Sequence, residues 1–184
     1  MDLVGGADPR RRAGRVAVGL IPATRPATPA DEPFLLALTA RLAAFPVPSW
    51  RTREEIAVAD HAILLDALHR SGRETLILVA EWPAGIAAGY VFVSTKRDYF
   101  TGRPHAHVEV LAVTEAAEGR GVARALMTAA EDWARSRGDD AITLNVFDRN
   151  VAARALYDRL GYQPETVHYR KGLRPAPDLP SPGE

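Results

Sequence analysis

The chain contains no cysteine. That absence excludes disulfide bridges, thiolate nucleophiles and cysteine-ligated metals. Also missing is any run approaching the roughly 20 consecutive apolar residues that a membrane-spanning helix needs. The opening Met1-Asp2-Leu3-Val4-Gly5-Gly6 lacks the charged and apolar regions of a signal peptide. Nor is there an excess of charge of either sign. The 23 Lys and Arg face 23 Asp and Glu, so no overall field holds a polyanion, and neither nucleic acid nor a membrane is the expected partner. These absences imply a soluble, cytoplasmic protein acting on a small molecule or a single peptide site, with homodimerisation left open. What remains, 184 residues of which 47% are hydrophobic, suffices for one domain with a continuous core.

Both ends read as non-globular. Residues 1–22 contain Arg10-Arg11-Arg12 among glycine, proline and alanine, with no sustained periodicity, and are expected to form a flexible arm. Residues 174–184 carry Pro175, Pro177, Pro180 and Pro182, which cannot donate backbone hydrogen bonds, so a disordered tail is expected. The single domain then spans residues 23–173.

Within it, Thr28-Pro29-Ala30-Asp31 resembles a capping box with proline at the first helical position, and Phe34, Leu35, Leu38 and Leu42 follow at helical spacing. A helix to about Ala44 is predicted, ended by Pro46 and Pro48. Thr52-Arg53-Glu54-Glu55 opens a second, whose apolar positions include Ile56, Ile63, Leu64 and Leu68. Residues 75–80 and 86–93 read as an antiparallel hairpin around Pro83 and Gly85, followed by a polar loop at 94–104. A strand at 107–113, a helix at 122–137 and a strand at 142–147 make a strand-helix-strand unit, which implies parallel strands joined by a right-handed crossover. A helix at 150–160 stopped by Gly161, and a last strand at 167–171, complete the order.

The strand ending at Val113 runs through Glu118-Gly119-Arg120-Gly121 into the helix from Val122. Such a turn aims unpaired backbone N–H groups and the positive end of the helix dipole at one point, where phosphate oxygens bind. Glycine permits the required dihedrals and close approach. Arg120 and Arg124 add positive charge. A Gly-x-Gly pair also opens dinucleotide and triphosphate sites, but the dinucleotide fingerprint wants Gly or Ala where Arg124 stands, and no Gly-Lys-Ser/Thr follows.

Taken together, Leu111-Ala112-Val113, Gly119-Arg120-Gly121-Val122-Ala123-Arg124-Ala125-Leu126, Asn150 through Tyr157, and Gly161-Tyr162 resemble the GNAT superfamily of acyl-CoA-dependent N-acyltransferases. The resemblance covers most of residues 80–169. It implies an α/β (α+β) fold: a mixed, mostly antiparallel sheet of six to seven strands with a central splayed parallel pair, flanked by about four helices. It also implies acetyl-CoA as co-substrate, with no metal, and transfer of the acetyl group to a primary amine. By this resemblance Leu111, Ala112 and Val113 bind the pantetheine arm through their backbone. Glu118, Gly119, Arg120, Gly121, Val122, Ala123 and Arg124 wrap the pyrophosphate. Asn150 and Tyr157 contact the cofactor, Tyr157 also as the acid that protonates the sulfur. The family usually places Gln or Arg where this chain has Glu118, and a carboxylate there repels a pyrophosphate unless it turns outward.

Acyl transfer to an amine also requires a base, because a free alkylamine titrates near pH ~10.4. His105, His107, Glu109, Leu111 and Val113 alternate along their strand and are expected on one face. Glu109 is the first candidate base and His107 the second. The histidines at i and i+2 have no evident third ligand for a metal. The acceptor pocket is expected among the second helix, the 94–104 loop, which contains Asp98, Tyr99 and Phe100, and Glu109. Two other functions fit less well: a catalytically degenerate acyl-CoA-binding sensor, and a dinucleotide-dependent oxidoreductase domain.

Overall fold

The computed structural model describes residues 21–69 and 74–173. Residues 1–20 of the expected arm (1–22) and the tail from 174 lie outside them. Five strands form one sheet in chain order. They are β1 (Ala23–Pro26), β2 (Thr75–Glu81), β3 (Ala87–Arg97), β4 (Pro104–Val113) and β5 (Ile142–Leu144). The first four pair antiparallel and β4 pairs β5 in parallel. The helices are α1 (Glu32–Thr39), α2 (Arg53–His69), α3 (Val122–Ser136) and α4 (Val151–Leu160). No helix among the described residues is long and apolar enough to cross a membrane.

The helix starts follow the sequence. At α2, Thr52 N–H donates to Glu55 Oε2 at 2.8 Å and Glu55 N–H donates to Thr52 Oγ1 at 3.0 Å, so each residue satisfies the other's free donor. Before α1, Thr28 donates through both its N–H and its Oγ1 to Asp31 Oδ2. Asp31 is buried and also accepts two bonds of 2.8 Å from Arg25, whose Nε reaches Glu81 at 2.7 Å. This network ties β1 to β2 and to the start of α1. It holds the Asp31 carboxyl well below the usual carboxylate range, chiefly through the Arg25 hydrogen bonds, against the cost of burial.

The sheet separates two apolar layers. On one face α3 places Val122, Leu126, Met127 and Ala130 against Val91, Val93, Ala106 and Val108. On the other, Leu35, Leu38 and Leu64 of α1 and α2 cover Val79, Tyr90, Phe92, Val110 and Ala112. Tyr90 is fully buried, and its hydroxyl meets Thr39 Oγ1 at 3.0 Å. Since Thr39 donates its own proton to Leu35 O, Tyr90 is the donor in that contact. Gly89 lets the layers close: a Cβ there would lie 2.7 Å from Ala112 O and 3.1 Å from Val122 Cγ1.

Three features depart from the sequence reading. A short edge strand, β1, precedes α1 where no strand was expected. β5 stops at Leu144 instead of 147, and residues 167–171 form no strand; Val167 and Tyr169 are exposed. A strand needs a partner edge, and β5 offers only about 10 Å of one. The sheet therefore has five described strands instead of six to seven, with the mixed α/β architecture and four α-helices as expected. The third departure is a bulge. Val93 pairs Val108 but Phe92 pairs Val110, so Glu109 is an extra residue in β4.

Candidate active site

The bulge at Glu109 reverses which face each β4 side chain occupies. Ala106 and Val108 join the α3 layer, whereas Val110 and Ala112 join the α1–α2 layer. His105 and His107 consequently lie on the α2 side, while Leu111 and Val113 pack toward α3. The expectation of one continuous face from His105 to Val113 is thus corrected.

Past Val108 and Leu144, β4 and β5 have no paired residues, and the strands diverge. A cavity of about 140 Å³ opens in the gap. Val108, Glu109, Val110 and Leu111 form one wall, and Leu144, Asn145, Val146 and Phe147 the other. Asn150, Ala153 and Tyr157, from the start and body of α4, also line it, as do Phe45, Ile56 and Asp60. Phe45 and Phe147 stack across it with centroids 5.0 Å apart.

Asn150 and Tyr157 share this cavity, as their spacing of nearly two turns requires. Asn150 is the N-cap of α4, accepting from Ala153 N–H at 3.2 Å. Tyr157 is half-buried, its ring 5.8 Å from that of Tyr162, and its hydroxyl has no hydrogen-bond partner among the described residues. Burial raises its pKa to about 12, so the phenol carries its proton at neutral pH.

Glu109 accepts from Ser94 Oγ at 2.6 Å and from Lys96 Nζ at 2.5 Å. Burial disfavours its charge most, but those two hydrogen bonds and the neighbouring positive charge together outweigh it and hold its pKa below the usual value. The carboxylate is fixed and ionised, which weakens it as a base. It also lines a second, larger cavity of about 470 Å³ beside α2, with Lys96, Ser94 and Glu74. His107 lines neither cavity. Its Nδ1 lies 2.7 Å from Thr143 Oγ1 and its Nε2 3.4 Å from Asn145 Nδ2. Desolvation lowers its pKa despite Glu109, so the ring is neutral at pH 7. His105 Nε2 meets the same Thr143 hydroxyl at 3.0 Å, so both histidines clip β4 to β5. Asp98, Tyr99 and Phe100 lie in the turn between β3 and β4, outside both cavities, with Tyr99 and Phe100 exposed.

Asp60 was missed by the sequence reading. It projects from α2 into the first cavity, has no hydrogen-bond or ion-pair partner among the described residues, and has its pKa raised by burial. A signal for it existed. Asp60 stands four residues from both Ile56 and Leu64, on the stripe that α2 buries, where a carboxylate is out of place unless it has a task.

At the turn before α3, Gly119 and Gly121 have φ of 69° and 82°, the left-handed region where a Cβ is strained. Nothing lies within 4 Å of where a Cβ at either would sit, so the space is open to a ligand. Among the described residues, the N–H groups of Gly119, Gly121, Val122, Ala123 and Arg124 have no backbone acceptor. Arg120 lies 5.2 Å over the Trp82 ring. Glu118 is exposed, and its Oε1 accepts from Arg41 Nη2 at 2.6 Å. These free amides, the open space and the helix dipole fit a pyrophosphate.

Comparison with known proteins identifies the family and the fold. Residues 37–162 match the Acetyltransferase (GNAT) family profile. A mycothiol acetyltransferase from Beutenbergia cavernae is 34% identical over 147 residues, 79% of this chain; the chain spans 46%, about half, of that curated relative. Among solved structures, a candidate acetyl transferase from Pyrococcus furiosus superposes with a TM-score of 0.66 at 23% identity, over 83% of this chain and all of its own. The aminoglycoside N-acetyltransferase AAC(6')-Iy, solved with CoA and with a CoA-based bisubstrate analogue, gives 0.59 at 20% identity over 83% and 99% of the two chains.

Proposed function

Because this chain belongs to the GNAT family of acetyltransferases, we propose that it transfers the acetyl group of acetyl-CoA directly to a primary amine of a small molecule or peptide in a ternary complex. The observation that carries the proposal is the cavity between the diverging strands. It is lined by a protonated, unpartnered phenol and by two carboxylates, Glu109 and Asp60, and the strand that forms one wall leads on to a turn whose amides suit a pyrophosphate. The similarity in sequence to a mycothiol acetyltransferase supports a small-molecule acceptor ahead of a peptide.

In this reading, acetyl-CoA lies with its pyrophosphate on the amides of Gly119 to Arg124 and its thioester between β4 and Tyr157. The backbone of Leu111, Ala112 and Val113 holds the pantetheine arm, and Asn150 flanks it. The amine nitrogen attacks the thioester carbonyl, the new C–N bond forms and the C–S bond breaks. Tyr157 gives its proton to the departing sulfur. The proton lost by the amine passes to Asp60 or, through water, to Glu109. Asp60 suits the second task better, because burial raises its proton affinity while Lys96 lowers that of Glu109. Glu109 then serves to attract the cationic acceptor from the larger cavity. His107, neutral and bonded to Thr143, has a structural role.

Gly121→Val tests the cofactor assignment. A β-branched residue cannot hold the 82° φ at low cost and fills the space over the amides. The expected outcome in a folded protein is loss of CoA binding by calorimetry; retained affinity would overturn the assignment.

A further inference from the structure

Glu118 places a carboxylate beside the turn that has to receive phosphates, and the fold supplies its counter-charge from 77 residues away. Arg41 lies in the 3-10 turn after α1, which is not part of the glycine turn or of α3. Its Nη2 donates to Glu118 Oε1 at 2.6 Å and its Nη1 to Glu115 Oε2 at 3.3 Å. One guanidinium thus engages both carboxylates that precede Gly119. The other charges at the turn are Arg120, over Trp82, and Arg124 in the first turn of α3. Three cations, Arg41, Arg120 and Arg124, face two carboxylates, Glu115 and Glu118, so the mouth is net positive with Arg41 and neutral without it. The Arg41 side chain is only 34% exposed whereas that of Glu118 is 62% exposed. The arginine is the better anchored partner and sets where the carboxylate points.

We propose that Arg41 belongs to the CoA site as a positioning residue, holding Glu118 turned away from the free amides of Gly119 to Arg124 and cancelling its charge. This rests on the assignment of acetyl-CoA to the glycine turn. It explains how a chain with Glu at this position retains a phosphate-binding turn: the positive charge that Gln or Arg at 118 would make unnecessary is provided by another element. It also joins the segment after α1, which lines the first cavity through Leu42 and Phe45, to the cofactor turn.

The test is a double-mutant cycle on CoA affinity, measured by calorimetry with wild type, Arg41→Ala, Glu118→Gln and the double variant. At low ionic strength Arg41→Ala weakens CoA by about tenfold, and the loss shrinks in high salt because these charges face solvent. Glu118→Gln binds at least as tightly as wild type. In the Glu118→Gln background, Arg41→Ala changes affinity by no more than about threefold, which a purely structural arginine would not produce. The KM for acetyl-CoA rises in Arg41→Ala while kcat holds, and Arg41→Lys retains most of the affinity with an intact fold. Equal losses from Arg41→Ala in both backgrounds, or no loss in either, overturn the proposal. If wild type itself fails to bind CoA, the assignment of the turn falls first; if it binds and the cycle is flat, only the role of Arg41 falls.

Discussion

Replacing Tyr157 by Phe removes one oxygen from the lining of the first cavity and little else. The ring keeps its packing beside Tyr162, 5.8 Å away, and the hydroxyl bonds to no described residue, so no donor or acceptor is orphaned. Stability should stay within about 0.5 kcal/mol of wild type. The effect on rate is another matter. A positioned general acid contributes roughly 10²- to 10⁴-fold, or about 2.7–5.5 kcal/mol of barrier at ~1.36 kcal/mol per decade. Burial raises the phenol pKa to about 12, above the ~8.5 of an ordinary thiol, so in water the proton transfer to sulfur would run uphill. The burial that raises the phenol also disfavours a thiolate beside it, which narrows that gap. Thiol release at saturating acetyl-CoA and acceptor should therefore show kcat reduced by at least about 100-fold, with CoA affinity unchanged. A group with its pKa raised to about 12 keeps its proton throughout the working range, so Tyr157 produces no alkaline fall in kcat below about pH 11. A kcat within about threefold of wild type would refute the role of Tyr157.

Asp60→Asn separates function from stability. A carboxylate whose pKa is raised by burial lowers stability at pH values where it is ionised, so the variant should melt at a higher temperature at pH 7. The same change should lower kcat/KM for the acceptor by roughly 10²-fold and remove the acid limb of its pH profile, where protonated Asp60 cannot act as base; a profile identical to wild type would return that task to Glu109. Asp31→Asn breaks the paired bonds to Arg25 and should cost about 2 kcal/mol in denaturant unfolding at pH 7. Because the folded pKa of Asp31 is depressed, its contribution is present above the unfolded value of ~3.9 and is lost as pH falls below it. The difference between the two proteins should accordingly shrink in acid, and a constant difference would show that the charge is not its source.

Much of this was legible in the chain before its fold was known. Thr52 and Glu55 announced α2, and Gly161 ended α4 in the left-handed conformation. Asn150 and Tyr157 met in one cavity because helical spacing requires it. What escaped were events between elements. The bulge at Glu109 is marked by no glycine and follows from how β4 must register against β3, yet it decides that His107 and Leu111 face opposite ways. The Arg41–Glu118 contact joins segments with no local pattern in common. The strand expected at 167–171 had the right alternation but lacked an edge to pair with, a property of β5 and not of the segment itself. Asp60 was visible on an apolar stripe, where its charge was the clue.

The most direct test of acetyl transfer is a panel of primary amines, from amino sugars and polyamines to amino acids and peptide N-termini, offered with acetyl-CoA to the wild-type chain. Thiol release is followed alongside mass spectrometry of the amine. At least one amine is expected to yield thiol and N-acetylated product in equal amounts. Binding of CoA with no thiol released from any amine would contradict acetyl transfer.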